Sequence, residues 1–191
     1  MRVLVTAVLV AMGGLVANQD PGLLRPLLDF ATPESARQWQ AVNDGVMGGV
    51  SQGRFRITDA RTMEFSGNLS LENNGGFASV RTKPTALDIK SGDTLVVRVK
   101  GDGRDYMVNI YTKSRRMAFS YRADLSTEQD QWQEIHLPLG RFEPTSFGRV
   151  VAGMGAVDPD QINGLGFMLS DKKPGAFRLE IESVKVIRGA D

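Results

Sequence analysis

The chain has 191 residues, with 23 Lys+Arg against 22 Asp+Glu, one His and no Cys, for a net charge of +1. That length suits one domain with its own core, and balanced charge offers no basic footprint for nucleic acid. Zero Cys excludes disulfides, thiolate metal sites, a thiol nucleophile and a lipoprotein anchor, and a single His excludes a multi-histidine metal site.

Met1-Arg2 is followed by an apolar run from Val3 to Ala17, broken only by Thr6. A short positive start and an apolar stretch of this length resemble a signal peptide. The run is shorter than the roughly 20 residues of a membrane-spanning helix. Residues 1–17 are expected to be a signal peptide or apolar anchor, with a buried strand as the alternative. If they act as a signal, the protein is exported, periplasmic or membrane-associated; otherwise it is cytoplasmic. Residues 18–30 read as a connector that packs Leu23, Leu24, Leu27 and Leu28 on the domain. Thr32-Pro33-Glu34 has a capping hydroxyl, Pro at the first helical position and an acid near the positive helix end. It predicts a short helix reaching about Gln40.

After residue 50 the pattern changes to period two. Leu95, Val97 and Val99 alternate with Val96, Arg98 and Lys100, and Tyr106, Val108 and Ile110 alternate with Met107 and Asn109. Phe119 and Tyr121 continue the pattern, as do Phe177, Leu179 and Ile181 against Arg178, Glu180 and Glu182. Such alternation predicts antiparallel strands with one face in a core and one in water. Turn clusters separate them at Asn73-Asn74-Gly75-Gly76, Lys90-Ser91-Gly92-Asp93, Gly101-Asp102-Gly103 and Lys173-Pro174-Gly175. Repeated short strands with frequent turns predict one all-β domain over residues 31–191, a sandwich or a barrel, after the short N-terminal helix.

Gly45-Val46-Met47-Gly48-Gly49 and Gly153-Met154-Gly155 look like nucleotide loops, but no helical sequence follows either. A dinucleotide fingerprint needs that helix to hold the pyrophosphate, so no nucleotide is expected. His136 lies in Trp132-Gln133-Glu134-Ile135-His136-Leu137-Pro138 on the face opposite Ile135 and Leu137. This favours an outward-facing strand residue over the base of a Ser-His-Asp site. Asp102 and Asp105 flank Gly103-Arg104. A tight Asp-Gly hairpin explains them more simply than an acid/base pair, and calcium stays open without support. In Asn73-Asn74-Gly75-Gly76-Phe77 the amides could bond ligand hydroxyls and Phe77 could stack or anchor; the plainer alternative is a turn entering a strand. Trp39 and Trp132 read as core more readily than as a binding platform. Lys113-Ser114-Arg115-Arg116 reads as a solvated hairpin tip, or a contact for an acidic partner or headgroup.

Several ordered motifs resemble the complex I intermediate-associated protein 30 family, also called the NADH:ubiquinone oxidoreductase intermediate-associated domain, over roughly Leu28 to Ile187. They are Trp39, Val42-Asn43-Asp44-Gly45-Val46-Met47-Gly48-Gly49-Val50-Ser51, Phe65-Ser66-Gly67, the run from Leu71 to Arg81, and Gly101-Asp102-Gly103-Arg104 with Tyr106. Trp132, Leu137-Pro138, Phe142, Pro144, the run Ile162 to Phe167, Ser170-Asp171-Lys172 and the run Gly175 to Ile181 complete the set. The resemblance implies a galactose-binding-like jelly roll, similar to some carbohydrate-binding modules. It also implies a non-catalytic, chaperone-like assembly factor for a membrane protein complex; no cofactor is expected, and no residue is assigned to a metal. On that reading Asn43, Asp44, Met47, Asn73, Asn74, Gly75, Gly76, Phe77, Asp102 and Arg104 form or brace a binding surface for a protein partner. The alternative is a glycan-binding module of an exported protein, with Asn73, Asn74, Asp102 and Arg104 on sugar hydroxyls.

Overall fold

A computed structural model describes residues 24–114 and 116–189. The expected signal or anchor segment, Leu23 and Arg115 lie outside the described residues. The strands are β1 (Leu24–Leu28), β2 (Trp39–Asn43), β3 (Gln52–Ile57), β4 (Met63–Leu69), β5 (Ala78–Thr82), β6 (Thr94–Lys100) and β7 (Asp105–Thr112). They continue as β8 (Phe119–Ser126), β9 (Trp132–Pro138), β10 (Glu143–Ser146), β11 (Arg149–Val150), β12 (Ile162–Leu169) and β13 (Gly175–Ile187).

The alternating segments fold as a sandwich of two antiparallel sheets. One sheet runs β3-β4-β13-β6-β9, with β1 also on β13; the other runs β11-β10-β8-β7-β12-β5-β2. β13 is long enough to change neighbours: Gly175 to Ile181 pairs with β4, and Val184 to Ile187 pairs with β1. The inward apolar set closes into one core that includes Phe65, Leu95, Val97, Val108, Ile110, Phe167 and Leu179. Trp39 is buried beside Phe30 and Phe167, with ring centroids 5.8 and 6.3 Å away. Burying a large apolar side chain of this kind stabilises the fold by about 1.5–3 kcal/mol.

Four expectations change. Leu24–Leu28, expected as a connector, is an edge strand on β13, and Pro26 within it suits an edge. The helix expected from Thr32 to about Gln40 is a 3-10 turn over Pro33–Gln38, and the Thr32 side chain caps nothing. The strand β2 takes over at Trp39 because that ring must reach the core. Asp102-Gly103 does not close a hairpin, since β6 and β7 lie in different sheets and the turn crosses between them. Finally, Trp132 is not core: it stands half-exposed on an outer face, with Arg98 and Lys100 over its ring at 5.5 and 5.0 Å. Among the described residues, no helix is long and apolar enough to cross a membrane.

Register decides which loops meet. Asn43 pairs with Ala78, Ala78 with Leu169, and Leu169 with Tyr106. The segments after Asn43, before Ala78, after Leu169 and before Tyr106 therefore leave the sandwich at one end. Leu69 opposite Gly175 brings two more segments of the other sheet to that end.

Candidate functional site

At that end the loop after β2 and the loop before β5 are fastened together by Asp44. Its side chain is fully buried. One carboxylate oxygen accepts from the Ser51 backbone N–H at 2.9 Å. The other accepts from Ser51 Oγ at 2.6 Å, from Gly76 N–H at 2.7 Å and from Phe77 N–H at 3.3 Å. Ser51 Oγ also donates to the Ser70 carbonyl at 3.1 Å and accepts from the Ser70 N–H at 3.0 Å. Burial alone would raise the Asp44 pKa, but the bonds from Ser51, Gly76 and Phe77 outweigh it and hold the carboxyl below its ordinary value. Two glycines make room for this cage. A Cβ on Gly75 would lie 2.6 Å from the Asp44 carboxylate, and one on Gly49 would also run into it.

The cage fixes a double loop that leaves four apolar side chains exposed. Val46 is 73% exposed and Met47 54%, and Val50 and Leu71 are exposed as well. Val50 and Leu71 flank the Ser51–Ser70 bonds, and Leu71 reaches to within contact of Gly76. Asn73 and Asn74 hold positive φ of 54° and 57° at the exposed rim, a backbone that Asn tolerates better than most residues. Phe77 is half-buried, and its carbonyl accepts from the Asp44 N–H at 3.3 Å. Asn43 faces inward instead, donating from Nδ2 to the Gly53 carbonyl at 3.0 Å.

The other two expected site residues form a separate structural clamp. Arg104 grips Asp171 with both prongs, at 2.9 and 2.7 Å, and also donates to the carbonyls of Lys173 and Ala176. Asp102 accepts from Tyr106 OH at 3.0 Å and from the Arg178 N–H at 2.7 Å. Neither side chain is left to face a ligand, so a sugar site through Asp102 and Arg104 has lost its polar groups to the fold. The structure thus brings Asp44, Gly75, Gly76 and Phe77 into direct contact, but not Asp102 or Arg104 with them. Asp105 lies 3.7 Å from the Lys173 ammonium, away from Asp102. His136 sits on the outer face of β9, 3.2 Å from the Glu134 carboxylate. Lys113 is tied to the Asp160 carbonyl at 3.0 Å at the β7–β8 tip. Ser51, Ser70 and Asp171 were not among the expected site residues. Asp171 pairs across 67 positions, a link no local pattern announces.

A protein-family model, complex I intermediate-associated protein 30 (CIA30), matches residues 28–181. The chain belongs to this family. The mitochondrial complex I intermediate-associated protein 30 of Mus musculus is 30% identical over 183 residues, covering 85% of this chain and 56% of that protein. Its Drosophila melanogaster counterpart is 28% identical over 186 residues, covering 86% and 63%. The chain thus spans little more than half the length of these relatives. Among solved structures, a family 11 carbohydrate-binding module from Clostridium thermocellum, in complex with a β-1,3-1,4-mixed-linked tetrasaccharide, is similar with TM-score 0.65 and 18% identity, over 88% of this chain and 97% of that one. An agarase is similar over 88% of this chain and 25% of its own length, with TM-score 0.61 and 12% identity. These likenesses identify the fold as an all-β jelly roll, and the fold alone does not carry their ligands over.

Proposed function

We propose that this member of the complex I intermediate-associated protein 30 family is a non-catalytic, chaperone-like assembly factor that binds a protein subunit of a respiratory complex I-like membrane complex. The observation that carries the reading is the double loop. The polar groups of Asp44 and Ser51 are used in holding its shape, and Val46, Met47, Val50 and Leu71 are left exposed beside the polar rim of Glu72, Asn73 and Asn74. Loops fixed in advance lose little conformational freedom on docking, and exposed apolar clusters mark interaction sites. Family membership supplies the class of partner.

The test is affinity capture of the full chain from membranes of its own source, followed by mass spectrometry. Recovery of complex I subunits or assembly intermediates is expected. Met47→Asp should cut that recovery about tenfold or more, since a charge in an apolar contact costs well over 1.4 kcal/mol. Met47 is exposed, so the variant should keep the parent melting temperature. Absence of any membrane-complex subunit would overturn the reading, and full recovery with Met47→Asp would remove the double loop from it.

A further inference from the structure

The outer face of the seven-stranded sheet carries a polar row that the double loop does not involve. Pairing register aligns Gln40, Arg81, Gly166, Asn109, Arg122 and Glu143 across β2, β5, β12, β7, β8 and β10. Paired residues share a face, and that face is the one opposite core residues such as Val80, Phe167 and Val108. An outer face is normally wet, yet Asn109 is fully buried in it and Ser120 and Thr145 nearly so.

Asn109 is oriented without ambiguity. Its Oδ1 accepts from Arg122 Nε at 3.1 Å and from Ser120 Oγ at 3.0 Å. An arginine can only donate, so the amide oxygen must be at that end and the NH2 at the other. That Nδ2 is buried and has no hydrogen-bond partner among the described residues, and neither has Arg81 Nε. A buried donor without an acceptor is costly, and native proteins leave few. Arg81 and Arg122 form no ion pair among the described residues. Arg81 lies over the Tyr111 ring at 5.3 Å, and Tyr111 stands on β7 two residues beyond Asn109. Gly166 lets β5 and β12 approach closely: a Cβ there would lie 2.5 Å from the Val80 carbonyl oxygen and 2.8 Å from the Arg81 Cβ. The acidic groups of the paired strands on this face are exposed: Glu143 ends the row beyond Arg122, Asp124 faces Met107 in the next row, and Asp105 starts β7 beside the Lys173 ammonium at 3.7 Å.

We propose that this row binds the oxyanion group of a small ligand, a carboxylate or a phosphate, held by Asn109 Nδ2 and the guanidiniums of Arg81 and Arg122. Between its ends at Gln40 and Glu143, the free groups of the row are donors: Asn109 Nδ2 and the guanidiniums. Two planar cationic forks suit an oxyanion, and the amide adds a third point of attachment. A neutral sugar needs acceptors as well, and Asn109 Oδ1 is already doubly occupied. Burial draws the Arg122 guanidinium below its ordinary pKa with no carboxylate to offset it, a deficit a bound anion would remove.

The test is an NMR titration of the 15N-labelled full chain, following the Asn109 NH2 and the arginine Nε signals. Separate arms use inorganic phosphate, succinate and a mixed-linkage glucan tetrasaccharide. Phosphate or succinate should shift those signals saturably, and the tighter arm tells phosphate from carboxylate. Asn109→Asp keeps both acceptor bonds and replaces the donor with a charge, so it should weaken binding about tenfold or more. Arg81→Gln should do the same, and it serves if Asn109→Asp does not fold. No shift with either anion, saturation by the neutral sugar alone, or unchanged affinity in both variants would overturn the proposal. The outcome is independent of the double-loop reading, because Met47→Asp should leave anion binding untouched.

Discussion

At the scale of single residues, Asp44 shows how far a carboxylate's type is from its role. As part of Asn43-Asp44-Gly45 it reads as a loop acid free to meet a partner. Whether it points out or in depends on Ser51 and on Gly76, which is 32 positions away, and local sequence does not state that meeting. Once buried, the carboxylate must be fully bonded, and it receives four donors. Asp44→Asn keeps the shape but turns one oxygen into an NH2 that would face other donors. A loss of about 2–4 kcal/mol in unfolding free energy is expected, the range for breaking a buried polar network. Urea unfolding at neutral pH measures it, and a loss below 0.5 kcal/mol, the usual scatter of surface changes, would mean that the cage does not hold the loops. Met47, by contrast, lies in a glycine-rich turn of the family motif, and the structure leaves it exposed.

At the scale of elements, period two located the strands well, because each side chain's face follows from backbone geometry alone. Leu95, Val97 and Val99, Tyr106, Val108 and Ile110, and Phe177, Leu179 and Ile181 are all buried as the alternation requires, but the opposite faces are not uniformly wet, since Val96, Asn109 and Glu180 are buried there. What the alternation cannot contain is the neighbour of each strand. Asp102-Gly103 has hairpin chemistry, yet β6 and β7 separate into different sheets, and Arg104 then ties the crossing to the β12–β13 loop through Asp171. Leu24–Leu28 was missed as a strand because Pro26 interrupts it, and only the edge position on β13 tolerates that proline. The clamp depends on the two-pronged shape of the guanidinium and not on charge alone. Arg104→Lys should therefore cost about 1–3 kcal/mol by losing one carboxylate bond and the bonds to the Lys173 and Ala176 carbonyls. Thermal melts measure the cost; a lysine variant as stable as the parent would show that only charge matters there.

At the scale of the molecule, the family was legible because its motifs run from Trp39 to Ile181, and several of their residues, Asp44, Ser51, Arg104 and Asp171 among them, brace loops. The cage, the clamp and a third buried acid together set the response to pH. Burial pushes the carboxyls of Asp44, Asp171 and Glu180 upward, but their bonds and ion pairs outweigh it, so all three lie below their ordinary values. The unfolded chain then binds protons more readily than the folded one. Their stabilisation is complete above the unfolded values of about 4 and is lost as pH falls through the lower folded values. Tyr106 acts on the other side. Burial first, then the Asp102 carboxylate, raises its pKa, so its neutral form is favoured in the fold. Its contribution is present below the unfolded value of about 10 and is lost as pH rises beyond it. Urea midpoints measured across pH should thus form a plateau from about pH 5 to 9, with falling flanks. Tyr106→Phe removes the hydroxyl bond to Asp102, which costs about 1 kcal/mol on the plateau. It should also make the alkaline flank shallower, leaving the part due to Tyr111, whose pKa burial also raises, while the acid flank stays as steep as before. An alkaline flank unchanged by that substitution would show that the ring hydroxyl is not the group that titrates there.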